Sequence, residues 1–136
     1  MDGSTDAPTE LSIQARLKLL SESGQASEAV VAFARKEVTR MEQDLGVSLE
    51  TEGGGMLVNH LVLALQRARN GTSYVAPDGV ADLIASELRD RPDVRDRARV
   101  LAARAREELE AALPDTEVDF LAVHLAALAE ADEHTD

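Results

Sequence analysis

The chain has 136 residues, 44 % of them apolar and 29 % charged, which fits one globular domain and neither a disordered chain nor a membrane-embedded one. Its net charge of −12 and pI near 4.6 argue against direct contact with nucleic acid, because neutralising phosphates needs a basic surface and the arginines here are interleaved with carboxylates. With no cysteine, disulfides, thiolate metal sites and cysteine nucleophiles are all excluded.

Two Phe, one Tyr and no Trp leave a core that must be built from aliphatic side chains, and these recur with helical period rather than alternating. Residues 1–8 read as a polar tail without the basic start or apolar core of a secretory signal, so a cytoplasmic protein is expected. A first helix fits Thr9 to Leu20, with Ile13, Leu17 and Leu20 on one stripe and Gly24 as terminator. A second fits Ala26 to Leu45, with Val30, Ala34, Met41 and Leu45 inward and Gly46 as the stop. Val47 to Gly55 reads as a flexible connection, because its three closing glycines favour no regular structure.

The third helix, Met56 to Arg69, has apolar side chains around most of its circumference and is expected to be largely buried. Its longest apolar run is too short to span a bilayer. A short fourth helix follows Asp78, with Val80, Leu83, Ile84 and Leu88 inward, and Arg91-Pro92 breaks it. Pro92 opens a fifth helix whose inward stripe is Val94, Ala98, Leu101, Ala105, Leu109 and Ala112. Pro114-Asp115-Thr116 starts the last helix, where Thr116 and Asp119 have capping-box spacing, and its apolar face runs through Phe120, Leu121, Leu125 and Leu128. The fold expected is all-α, a compact bundle of five to six helices in a single domain over residues 9–130, followed by an acidic tail, 131–136.

Of the three histidines, His134 falls in that tail, whereas His60 and His124 each interrupt an apolar helix face. Burying imidazole costs free energy unless it finds a partner or keeps one edge in water. Positions seven apart share a helix face, which gives His60 the company of Arg67 and His124 that of Glu117. Two core histidines with charges at the helix ends would also account for this spacing. A metal site using His60, His124 and Glu117 lacks any short ligand spacing, so no metal or other cofactor is expected.

Asn59-His60-Leu61, then Arg67, then Asn70-Gly71 resembles the first histidine motif of the PTS regulation domain, which commonly reads Asp-His, an Arg seven residues on, and a Gly closing the helix. Leu113-Pro114-Asp115-Thr116-Glu117 followed by Leu121-Ala122-Val123-His124-Leu125 resembles its second motif. The likeness covers about Ala26 to Leu128. It implies a five-helix domain, usually dimeric and not an enzyme, with His60 and His124 as phosphorylation sites and Asn59, Arg67 and Glu117 in support. The implied phosphoryl donor is HPr or a sugar-specific component of the phosphotransferase system. The implied output is control of dimerisation or partner binding, and so, indirectly, of transcription or antitermination of sugar-use genes. Two departures stand out. Asn59 replaces the usual Asp, and family members usually carry two such domains behind a module that binds RNA or DNA, so a free-standing domain acting through a separate regulator protein is expected here. The alternative is a helical dimerisation or interaction module that has lost phosphotransfer. Phosphorylation adds about one and a half to two negative charges. The two sites are therefore expected to differ, Arg67 donating to a phosphate on His60 and Glu117 repelling one on His124.

Overall fold

A computed structural model of the chain describes residues 12–72 and 77–134. Among the described residues there are six helices and no strand: α1 (Ile13–Glu22), α2 (Glu28–Leu45), α3 (Glu52–Arg69), α4 (Val80–Glu87), α5 (Pro92–Leu109) and α6 (Asp115–His134). The expected N-terminal tail and the first residues assigned to the first helix lie outside the described residues. None of these helices is long and apolar enough to cross a membrane.

Several helix ends reflect local chemistry. Ser12 and Ser27 cap α1 and α2 by accepting from Ala15 N–H at 3.1 Å and Val30 N–H at 3.3 Å. Gly46 ends α2 in the left-handed conformation, φ 69°, where a side chain would be strained. Pro92 opens α5, where its missing N–H costs nothing.

Helices α2, α3, α6 and α5 pack as a closed ring, each touching the next, while α1 lies against α2 and α3 and α4 lies against α6. Leu57, Leu61 and Leu65 of α3, Phe33 of α2, Leu101 of α5 and Leu121 and Leu125 of α6 fill the space between them. Ion pairs fix the α2–α5 orientation: Lys36 meets Glu108, Glu37 meets Arg104 and Asp44 meets Arg97, so the two helices run antiparallel. Glu37 is fully buried and accepts from Arg104 at 2.7 Å on each oxygen and from Arg40 at 2.5 Å.

Several expectations are corrected. The three glycines do not close a loop. Helix α3 begins at Glu52, so Gly53, Gly54 and Gly55 form its first turn, capped by Thr51, whose hydroxyl accepts from Gly54 N–H at 3.0 Å. A Cβ on Gly54 would sit 2.0 Å from the Leu49 carbonyl oxygen, so glycine serves close approach there rather than flexibility. Leu83 is 64 % exposed and Met56 57 %, leaving α4 with Ile84 as its buried residue and α3 with one open edge. Ala112 lies beyond the end of α5, which stops at Leu109 because Glu110 turns left-handed with φ 56°, and it is exposed. Asp119 does not serve as a cap: it forms a two-pronged pair with Arg95 at 3.2 Å. Helix α6 runs to His134, so the backbone of residues 131–134 is helical.

Candidate functional site

Helix α3 carries Asn59, His60 and Arg67, and α6 carries Glu117, Phe120 and His124. The two helices run antiparallel: position 53 lies beside Leu128, His60 beside His124, and Arg67 beside Glu117. That register brings both histidines into one pocket of about 380 Å³, lined by His60, Arg67, Glu117, Phe120 and His124 and open to solvent.

The imidazole rings of His60 and His124 have centroids 5.5 Å apart and are tilted by 45°. Phe120 stands against His60 with ring centroids 5.7 Å apart and a 52° tilt, within the range of favourable aromatic contacts. Glu117, fully buried, forms the floor. One of its oxygens pairs with the Arg67 guanidinium. The other lies 3.0 Å from His60 Nε2, close but off the axis of a well-formed hydrogen bond. A buried carboxylate needs a cation, and Arg67 supplies it from the opposite helix.

Burial depresses the pKa of His60 below its ordinary 6.5; the Glu117 carboxylate pulls it partly back and Arg67 pushes it down. His124 is also depressed, by burial first and by His60 second. Both shifts favour the neutral imidazole, which carries one nitrogen lone pair; on His60 the Nε2 atom is shut off from solvent against Glu117. Among the described residues no group of three or more His, Asp or Glu side chains is disposed to hold a metal ion.

The spacing in the sequence assigns Glu117 to His124 and treats the two histidines as separate sites. The structure corrects both points. Glu117 reaches across to His60 and Arg67, and the histidines share one pocket. Asn59 is half-buried beside His60 and does not line that pocket. Phe120, which reads as an ordinary core residue, is part of the site. Its position midway between Glu117 and His124 on one helix face is the signal that would have found it.

No curated protein and no solved structure matches the chain. Residues 35–128 match the family model of the PRD domain, a span of well over half the chain that runs from within α2 to within α6 and takes in all five pocket residues, so the chain belongs to the PRD domain family.

Proposed function

We propose that this PRD domain is a phosphohistidine acceptor of the sugar phosphotransferase system, modified on His60 and His124 by HPr or a sugar-specific component. The observation that carries the reading is the pair of imidazoles brought together in one open pocket between α3 and α6. In the transfer, a ring nitrogen forms the new N–P bond as the donor's N–P bond breaks. The acceptor ring gives up its N–H proton, and the donor imidazole takes one up. The product has three acceptor oxygens and about one and a half to two negative charges. Arg67 is the group that answers it, because a guanidinium presents a planar fork to a phosphoryl group, and in doing so it leaves Glu117.

Removing the Arg67–Glu117 bridge loosens the contact between α3 and α6, and that shift changes how the domain meets a second copy or a separate regulator. Control of transcription or antitermination then passes through that partner.

The test is incubation with phosphoenolpyruvate, the general phosphotransferase enzyme and HPr, with a sugar-specific component as alternative donor. Acid-labile phosphate is followed by intact mass and phosphorus NMR. The expected result is transfer that is slower but retained in His60→Gln and in His124→Gln and abolished in the double variant. Asn59, in place of a carboxylate beside the acceptor, favours the alternative of an interaction module without phosphotransfer. Absence of transfer from either donor would establish that alternative.

A further inference from the structure

We propose that His60 and His124 form a single site with capacity for one phosphoryl group, so that modification of either ring closes the other. This rests on the reading of both rings as phosphoryl acceptors and adds the rule by which they are used.

Space does not impose the limit, since a pocket of about 380 Å³ open to water would admit two phosphoryl groups. Charge imposes it. The pocket lining holds the buried Glu117 carboxylate and, among the described residues, one cationic side chain, Arg67, which already pairs with Glu117. Before modification these two charges cancel. A first phosphoryl group adds about one and a half to two negative charges, more than one guanidinium offsets. A second, on a ring whose centroid is 5.5 Å from the first, would face both that phosphoryl group and Glu117 with no further cation in the lining. At this separation, inside a Debye length and between half-buried rings, salt screens the repulsion poorly.

The exclusion is reciprocal, because a coupling free energy acts equally on both partners. Two donors that each address a different ring would therefore compete for one pocket. The domain would record which donor arrived first rather than add the two signals.

The experiment uses the full chain carrying His134→Gln, which removes the third histidine, with phosphoramidate as a small-molecule donor. In that reaction a ring nitrogen forms an N–P bond as the donor's P–N bond breaks; ammonia leaves and the ring proton passes to solvent. Donor exposure is set so that His60→Gln/His134→Gln and His124→Gln/His134→Gln are each half modified. Independent rings would then leave roughly a quarter of His134→Gln chains doubly modified by intact mass. The expected fraction is below about two in a hundred, a coupling of about twentyfold or more. A doubly modified fraction near a quarter would overturn the proposal. So would the failure of either ring to take phosphate when it is the only histidine present. Parallel arms with phosphorylated HPr and with a phosphorylated sugar-specific component separate the two readings: failure in both with exclusion under phosphoramidate removes the physiological donors and leaves the shared site standing.

Discussion

Replacing Arg67 by Ala tests the electrostatic logic of the pocket without touching either histidine. The Glu117 side chain is 2 % exposed and Arg67 38 %. Removing the cation strands the carboxylate, whereas removing the carboxylate would free an arginine that can reach water. Breaking a buried pair from the side that leaves the other charge behind costs about 3–5 kcal/mol. The partial exposure of Arg67 and the His60 ring, whose Nε2 stays 3.0 Å from Glu117, place this case lower, at about 2–3 kcal/mol. Against a total stability of about 5–15 kcal/mol the loss is large, and the melting temperature should fall by about 8–12 °C.

The penalty should also depend on pH, and its sign is fixed by the neighbours of His60. Arg67 depresses that histidine and Glu117 raises it, so the variant has a higher His60 pKa than the parent. A histidine whose folded pKa is raised contributes stability at low pH that is lost as pH climbs through that pKa. The destabilisation should thus be greatest at pH 8 and shrink towards pH 5.5, where a protonated His60 takes over as the partner of Glu117. Urea unfolding of the parent, Arg67→Ala and Arg67→Lys at both pH values measures this, and the lysine variant should recover more than half of the loss at pH 8. A cost under about 0.5 kcal/mol at pH 8, or an equal cost at both pH values, would refute the reasoning.

Other outcomes follow from the same contacts. Because burial depresses both His60 and His124, the unfolded chain takes up protons first as pH drops below 6.5, so the parent should lose stability from pH 7 to 5.5 by up to about 1.4 kcal/mol per pH unit for each ring. Urea titrations of the His60→Gln/His124→Gln variant should give a flatter profile. Gly54→Ala should cost about 2–3 kcal/mol in thermal or urea unfolding, since its Cβ meets the Leu49 carbonyl at 2.0 Å. Gly53→Ala, exposed and with its Cβ at an ordinary 3.4 Å from Leu128, should stabilise the domain by about 0.5–1 kcal/mol. Arg104→Ala should cost about 3–4 kcal/mol by leaving the fully buried Glu37 short of its two-pronged partner, and more than Glu37→Met, after which the half-exposed Arg40 and Arg104 turn to water. Equal losses in the two variants would contradict that asymmetry.

Much of the helical order is readable from periodicity, because each of α2, α3, α5 and α6 extends through several turns and buries one recurrent stripe. Val94, Ala98, Leu101, Ala105 and Leu109 of α5 are all buried at the positions their spacing requires. Helix α4 has 8 residues, too few for a stripe to be distinguished from chance, and Leu83, which the spacing turns inward, is exposed. The glycine triplet misleads for a different reason. Its local preference is for loops, but its fate is decided by the Leu49 carbonyl five residues earlier, which turns back against Gly54 in a backbone contact with no trace in composition. The end of α5 carries no residue-level signal either, since Glu110 adopts a left-handed turn that glycine usually fills.

In the site, the spacing of seven marks His60 with Arg67 and His124 with Glu117, and all four line the pocket. What spacing cannot supply is the register of one helix against the other. Within a helix Glu117 belongs to His124, but across the antiparallel pair it belongs to Arg67 and His60.

That register behaves like the scale of a vernier. Sliding α6 along α3 by one residue is a shift of about 1.5 Å, small beside the size of the domain, yet keeping a helix seated on the same groove then demands a turn of about 100° about its axis. Glu117 would swing out from between Arg67 and His60, and the apolar stripe of α6 would leave the core with it. A one-residue slide is therefore disfavoured, and the nearest register that returns a similar face to the groove lies about a full turn, roughly 5.4 Å, away. Helices α4 and α5 both rest on α6, so any unseating of α6 would displace the support of both.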